Sequence, residues 1–441
     1  MDEQDSPLSA RATERDYQRV VNAWAMYDWA NSAFAVIILT AVFPVYYRAL
    51  VISAGGSPAD ATAYWAYTTS ASLLVVALAG PVLGAMADIA GGTKRFLGVA
   101  LALGVLGSAG LAFLGEDTFL LGAVIFAVGN LGFAGGNIFY EALLPHIARQ
   151  DDIDRVSARG YALGYLGGGL LLIVVTLWLL WPNSFWTADR DSALRGSFIS
   201  VAVWWLVFAL PLFRTVPAPS TREAAGASMR LVISGLQQPA RTLSQIRRYR
   251  QLAVFLAAFW LYNDGISTII KIATAYGDEI GIDHNHMLIA LILTQLVGFP
   301  STLGFGVLAG ILGAKGTILV GLATYGLISI GGFFMKNAVH FYLLAVVVGL
   351  VQGGTQALSR SLFATMVPKT RSAEFFGFFS TGEKFAGIIG PALFGFVGQW
   401  MGSSRWGIIS VTLLFVAGAA LLWRVDEQEG RRAAAAAMDR D

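Results

Sequence analysis

The sequence of 441 residues contains no cysteine, which excludes disulfide bonds, thiolate metal sites and cysteine nucleophiles within this chain. It also carries little charge. Charged residues make up 13% of the chain, whereas a soluble domain carries about 25%. Apolar residues make up 56%, and the mean hydropathy is +0.63. This balance predicts a polytopic membrane protein.

Signatures of several catalytic classes are missing as well. The chain has no glycine-rich phosphate-binding loop, so we do not expect ATP to drive it directly. Its four histidines all fall in predicted loops, where none suits an intramembrane proton relay. We interpret the one loop rich in acidic residues and histidines, 278–286, as solvated rather than metal-binding. We therefore expect no catalytic residue, no metal and no cofactor, with a coupling proton as the one candidate.

Twelve apolar segments are long enough to cross a hydrocarbon core of about 30 Å. They predict an all-α membrane protein made of two six-helix bundles related by a pseudo-twofold axis. The expected division is a 1–21 N-terminal segment, a 22–213 bundle, a 214–251 basic linker, a 252–424 bundle and a 425–441 tail.

Lysine and arginine concentrate before helix 1, in loops 2–3, 4–5, 6–7 and 10–11, and in the tail. This bias predicts that both termini are cytoplasmic. The linker is rich in arginine, which favours contact with anionic lipid head groups. It lacks the interleaved aromatic residues of a nucleic-acid site, so we expect membrane lipids and a small solute as partners of a monomeric protein.

Two matching stretches place a tyrosine and an aspartate inside apolar spans. Helix 1 contains WAMYDWANS with Asp28, and helix 7 contains WLYNDGIST with Asp264. An ionised aspartate at such depth costs a few kcal/mol, so it normally faces a bundle interior or a water-filled cavity. Its recurrence in both halves indicates a duplicated transporter with one site between the halves.

The loop after helix 2 reads GAMADIAGGTKR and contains Asp88, Lys94 and Arg95. It resembles the loop 2–3 signature of the major facilitator superfamily, although Ile89 stands where a basic residue is usual. The resemblance implies a gate in which Asp88 lies within reach of Lys94, Arg95 or the inner start of helix 11. The alternative is a tight turn with ordinary interfacial charges.

Four longer stretches carry a closer resemblance: YDWANSAFAVIILTAVFPVYY, SARGYALGYLGGGLLL, QGGTQALSRS and FFGFFSTGEKFAGIIGPALFG. They resemble the vacuolar amino-acid effluxer family of autophagy and its bacterial relatives. The resemblance implies a secondary transporter of the bacterial inner membrane that exports or equilibrates amino acids or similar small zwitterions. A proton-coupled exporter of amphipathic toxic compounds is the alternative, and a membrane enzyme or a non-transporting receptor is a remote one.

Polar residues are confined to a subset of the spans. Helices 3, 6, 9 and 12 have no ionisable or amide residue in their cores, whereas helices 1, 4, 7, 10 and 11 have several. The resemblance implies that the latter line the cavity. The expected cavity residues are Asp28, Asn31, Asn137, Asp264, Lys271, Gln352, Gln356 and Lys384.

We assign provisional roles within this set. Lys384 or Lys271 would take a solute carboxylate, and Asp28 or Asp264 its amino group, while Asp28 is also the candidate proton carrier. Nearer the inner face, Glu141 and Arg360 are expected to approach each other as a gating latch. The alternative for all these charges is that they neutralise one another and hold the two halves in register.

Overall fold

The computed structural model describes residues 7–115, 117–185, 189–218, 249–385 and 389–438, and all regular structure in these ranges is helical. The first half contains six spanning helices. They are α1 (Pro7–Ala33, Phe34–Ala41 and Phe43–Ser53), α2 (Pro58–Ala90), α3 (Thr93–Gly110), α4 (Phe119–Ala142), α5 (Ile153–Leu180) and α6 (Arg190–Thr215).

The second half contains the corresponding six helices and a tail helix. α7 covers Arg250–Glu279, and α8 and α9 together cover His284–Phe333, separated at Gly313. They are followed by α10 (Ala338–Thr365), α11 (Ser372–Phe385 and Ile389–Trp400), α12 (Ser404–Ser410 and Thr412–Trp423) and α13 (Glu427–Met438). The basic linker predicted at 214–251 falls largely on residues 219–248, outside the described ranges.

Two of the spanning segments are bent or separated at identifiable residues. In α1 the segment Phe34–Ala41 is a π-helix, and the chain then bends by 41° before a segment that begins with Phe43 and Pro44. Proline lacks the N–H that would continue the preceding helix. Gly313 divides α8 from α9 because its φ of 74° is a left-handed conformation that suits glycine.

The bend in α1 and the merging of α8 with α9 change the number of helices that qualify as membrane spans. Among the described residues, nine helices are long and apolar enough to cross a membrane, or ten if the bent α1 is one span. α8 and α9 count together in that number, and α11 is described over two ranges, Ser372–Phe385 and Ile389–Trp400, with residues 386–388 outside the described part of the chain. Counting α8 and α9 apart and α11 as one gives the twelve spans that the sequence predicts.

We call the end of the bundle that carries loops 2–3, 4–5 and 10–11 the inner end. Hydrogen bonds join the two halves from this end toward the middle of the helices. Asp88 at the inner end of α2 accepts from the backbone of α11, and further along Thr381 Oγ1 donates to Ala77 O at 2.8 Å. The close approach requires small residues, since a Cβ on Gly84 would lie 2.1 Å from Ala373 O. The inner end is therefore closed in this structure.

The first helix begins earlier than its apolar core suggests, because polar contacts support its inner extension. Tyr17 Oη donates to Asp152 Oδ2 at 2.9 Å, and Arg149 forms a 2.9 Å salt bridge with Glu14. The Arg149 guanidinium also lies 4.0 Å from the centre of the Tyr17 ring. These contacts fix α1 to the loop between α4 and α5.

Candidate functional site

A buried ion pair joins the two halves near the inner end. Arg360 on α10 donates from Nη1 to Asp28 Oδ2 on α1 at 3.1 Å, and the two side chains are 1% and 14% exposed. Such a pair is favourable in the membrane interior only when further hydrogen bonds satisfy both groups. The remaining donors of the guanidinium make such bonds.

Those donors are directed at one residue of α5. Arg360 Nε donates to Ser157 Oγ at 3.0 Å, and Nη2 donates to Ser157 O at 2.9 Å. The Ser157 hydroxyl in turn donates to Ala357 O at 2.6 Å, which adds a second link from α5 to α10. The acceptors of the Arg360 guanidinium, on Asp28 and Ser157, all lie in the first half.

Three aromatic rings surround the same guanidinium. Its carbon lies 4.3 Å from the centre of the Tyr161 ring, 4.9 Å from Trp24 and 5.6 Å from Tyr140. Distances under about 6 Å give favourable cation–π attraction, which grows when the cation is desolvated. We call Trp24, Asp28, Tyr140, Ser157 and Tyr161 together the Arg360 pocket.

The walls of the Arg360 pocket are fixed by contacts within the first half. Trp24 stacks on Tyr140 with ring centres 4.5 Å apart, and Trp24 Nε1 donates to Tyr140 O at 3.1 Å. The Tyr140 hydroxyl donates to Asp28 Oδ2 at 2.8 Å. The carboxylate is thus held in place by a residue of its own half.

Glycines on α5 allow α5 to approach α1 closely enough to form this arrangement. A Cβ on Gly164 would lie 2.6 Å from Ser32 Oγ, and one on Gly167 would lie 2.6 Å from Trp29 O. Gly160, one turn before Gly164, lies directly beside the ion pair. The stretch SARGYALGYLGGG therefore encodes both the approach and the Ser157 and Tyr161 contacts.

Asp28 forms the salt bridge with Arg360 at 3.1 Å, and the expected approach of Glu141 to the same guanidinium stays a prediction. Glu141 follows Tyr140 and is itself buried, and it adds an electrostatic attraction to the guanidinium. The Tyr140 hydroxyl directs Asp28 toward Arg360. Ser157 accepts from two other donors of the Arg360 guanidinium. Sequence reasoning missed Trp24, Tyr140, Ser157 and Tyr161, although all four lie in or near the polar stretches of α1, α4 and α5.

Asp88 contacts the inner start of helix 11, one of the three contacts that the loop signature implies. Its carboxylate accepts from Ala373 N at 3.1 Å and from Glu374 N at 2.8 Å, in the first turn of α11. Backbone N–H groups at a helix start have no partner within the helix, and the helix dipole favours an anion there. The carboxylate of one half therefore caps a helix of the other.

The basic residues of the loop signature do not pair with Asp88. Lys94 Nζ instead donates to the carbonyls of Phe213 and Val216 at the end of α6, where a cation complements the helix dipole. Arg95 is exposed. A gating role for Lys94 and Arg95 stays a prediction.

The remaining cavity candidates are placed differently from one another. Asn31 Nδ2 donates to Asn137 Oδ1 at 2.6 Å between α1 and α4, and Gln352 and Gln356 are half-buried on α10. Lys271 is exposed. The side chain of Lys384 lies outside the described residues.

Asp264 is buried, and its Oδ2 accepts from Gly390 N at 2.8 Å. Gly390 lies in α11, just before Pro391. The carboxylate thus accepts from the backbone of α11, and a role of Asp264 in the cavity stays a prediction. The matching aspartates of the two halves consequently have different surroundings.

The sequence matches the family model described as vacuole effluxer Atg22 like over residues 16–435. The chain belongs to this family. It is 38% identical over 408 residues to the uncharacterized MFS-type transporter YxiO of Bacillus subtilis, a match that covers 92% of this chain and 95% of YxiO.

More distant similarities support the same placement. Autophagy-related protein 22 of Yarrowia lipolytica is 25% identical over 64% of this chain and 51% of its own length, so the chain spans half of that relative. The major facilitator superfamily proton:xylose symporter XylE shares the fold with a TM-score of 0.65 at 14% identity, covering 95% of this chain and 98% of XylE.

These comparisons confirm the resemblance and the fold class. This Atg22-like protein is an all-α integral membrane protein with the major facilitator fold of twelve helices in two six-helix bundles. It is a transporter and not an enzyme.

Proposed function

We propose that this Atg22-like protein is a secondary active transporter that exports or equilibrates amino acids or similar small zwitterions by alternating access. The observation that carries the proposal is the buried Asp28–Arg360 pair, which crosses from one half to the other near the closed inner end. Opening of the inner end separates these two residues.

Separation of the pair leaves an anion in one half and a cation in the other. An uncompensated charge in the membrane interior is costly, by about 3–5 kcal/mol where one partner of a buried pair is removed. A zwitterion carries one charge of each sign, so its ammonium group can compensate Asp28 while its carboxylate compensates Arg360. Such a solute lowers the energy of the opening movement, which links binding to transport.

The same geometry supports a role for Asp88 in the transport cycle. Its two hydrogen bonds to the start of α11 form only while the inner end is closed. They break when the halves separate there, so we assign Asp88 to the inner gate. The distribution of lysine and arginine supports placing this end, and both termini, on the cytoplasmic side of a bacterial inner membrane.

A proton is the coupling ion that we propose. XylE is named a proton:xylose symporter and has the same fold. Asp28 is the carboxylate best placed to bind a proton, since it loses its cationic partner when the inner end opens. Protonation then offers an alternative to solute binding for neutralising this charge.

Reconstitution into liposomes tests the proposal. We expect labelled amino acids to accumulate when a pH gradient is imposed and to equilibrate without one. Asp28→Asn should abolish gradient-driven accumulation. If Lys384 holds a solute carboxylate, Lys384→Gln should weaken binding of zwitterions more than that of neutral analogues.

Two results would contradict the proposal. Absence of amino-acid flux with and without a gradient refutes the proposed solute class. Wild-type accumulation by Asp28→Asn refutes Asp28 as the coupling residue and favours a purely structural ion pair.

A further inference from the structure

The Arg360 pocket has a property that the ion pair alone does not reveal. All five of its residues belong to the first half, whereas its occupant belongs to the second. Arg360 reaches into it from α10 and meets three hydrogen-bond acceptors and three aromatic rings. The first half thus carries a complete binding site for a guanidinium group.

We propose that this pocket is a receptor for organic cations, and that solutes bearing a guanidinium or ammonium group bind it when the inner end opens. The proposal rests on the proposed transport function, because movement of the halves is what withdraws Arg360. It narrows the solute class from zwitterions in general to molecules recognised through their cationic group.

The pocket retains its shape without Arg360, because its main walls are connected to each other. Trp24 stacks on Tyr140 and donates to its carbonyl, and the Tyr140 hydroxyl donates to Asp28. None of these contacts involves the second half. Besides its contacts with Arg360, the pocket bonds across through the Ser157 hydroxyl, which donates to Ala357 O and becomes available to a solute once that bond breaks.

The acceptor geometry favours a planar, forked cation. Ser157 Oγ accepts from Nε and Ser157 O accepts from Nη2, while Asp28 Oδ2 accepts from Nη1. A guanidinium satisfies all three acceptors in one plane, whereas a compact ammonium cannot span them as well. The aromatic rings attract either cation and offer little to a neutral molecule of the same shape.

Competition between Arg360 and the solute gives the movement a direction. Closure of the inner end returns Arg360 to the pocket, and the solute cation cannot remain there beside it. The solute is then displaced toward the other side of the membrane. Arg360 therefore acts as a tethered competitor that favours export.

Chemical complementation tests the receptor directly. Arg360→Ala empties the pocket, and methylguanidinium added to the purified variant should raise its melting temperature by about 2–4 °C near saturation. Methylammonium should give a smaller rise. Methylurea, the neutral analogue of the same shape, should give none, and neither should methylguanidinium with the Asp28→Asn/Arg360→Ala double variant.

Tyr161 provides a matched pair of variants in the Arg360→Ala background. Tyr161→Phe retains the ring and should retain methylguanidinium binding, whereas Tyr161→Leu should weaken it roughly 2–30-fold. Three results would overturn the proposal. They are no stabilisation by methylguanidinium, equal stabilisation by methylurea, and stabilisation of the Asp28→Asn/Arg360→Ala variant by as much as Arg360→Ala.

A second route applies if Arg360→Ala does not fold. Asp88→Asn leaves the pocket and Arg360 intact while loosening the inner end, and it should bind methylguanidinium more tightly than the wild type does. No difference between the two proteins overturns the proposal. Flux of amino acids in liposomes without methylguanidinium binding refutes only the receptor, whereas binding without flux refutes only the transport function.

Discussion

Gly160 of α5 lies so close to Asp28 of α1 that a Cβ atom on Gly160 would stand 2.5 Å from Asp28 Oδ2. The same Cβ would lie 2.9 Å from Arg360 Nη2 and 3.0 Å from the Trp24 ring. At Gly160, the closed inner end therefore has room for a hydrogen atom but not for the methyl group of an alanine. This makes Gly160 a sensitive point for the inter-half contact.

Gly160→Ala should prevent the Asp28–Arg360 pair from closing in its present geometry. Overpacking of this kind costs about 1–3 kcal/mol. We expect a lower melting temperature and slower transport in liposomes. Gly135→Ala on α4 is the control, because a Cβ there meets nothing within 4 Å. Equal behaviour of the two variants would show that Gly160 does not limit closure.

The Asp28–Arg360 pair predicts a specific pattern among neutralising variants. Asp28→Asn or Arg360→Gln alone leaves one buried charge uncompensated and should lower stability by about 3–5 kcal/mol. The double variant should recover much of that loss in thermal melting. Arg149→Gln, which breaks the exposed pair with Glu14, should cost about 0–1 kcal/mol. A double variant less stable than both single ones would contradict the pairing.

Asp88→Asn should loosen the inner end and slow transport. An amide keeps one acceptor oxygen but loses the charge that complements the start of α11, at a cost of about 1.5–3 kcal/mol for a hydrogen bond to a charged group. Because the loosened inner end exposes the Arg360 pocket more often, the slower transport should come without any loss of methylguanidinium affinity.

The absence of cysteine makes this movement measurable. Spin labels on Asp151→Cys and Lys369→Cys, in the exposed loops of the two halves at the inner end, should report a larger population of long distances in Asp88→Asn. Asp60→Asn is the control, since Asp60 caps α2 at its other end through Ser57. An unchanged distance distribution would remove Asp88 from the gate.

The rotation of each helix about its axis decides which side chains meet, and composition and length do not determine it. The spans, the low charge and the few ionisable residues within the spans could be predicted because they depend only on composition and length. The partner of Arg360 could not be predicted, because the depth of a residue along its helix does not determine which helix faces meet. That choice depends on how the glycines of α5 set it against α1 and on where the Tyr140 hydroxyl directs Asp28.

The surroundings of Asp264 include a proline on the neighbouring helix. Pro391 interrupts an apolar span, and a proline breaks the backbone hydrogen bonds of a helix. Gly390 directly precedes this proline, and its N–H donates to Asp264 Oδ2 at 2.8 Å. Asp264 on α7 thus binds the backbone of α11 beside the proline, whereas the aspartate alone suggested a cavity.

The hydrogen bond from Gly390 N predicts that an acceptor oxygen at position 264 supports the contact between α7 and α11. Asp264→Asn retains an oxygen for Gly390 N, so the variant should fold and transport at a rate within about threefold of wild type, consistent with a modest change in a neutral hydrogen bond. Asp264→Leu is similar in size but has no acceptor. It leaves a buried N–H unsatisfied, at a cost of about 1–3 kcal/mol, and should melt at a lower temperature.

Gly390→Ala gives an independent test of the same contact. A Cβ at Gly390 would lie 1.9 Å from Thr268 Oγ1, so α11 must move away from α7 and from the Asp264 carboxylate. Its melting temperature should fall as in Asp264→Leu, and the combination of the two should cost less than the sum of the separate losses, because both remove one contact. Abolished transport by a well-folded Asp264→Asn would instead assign the charge itself to solute or proton binding.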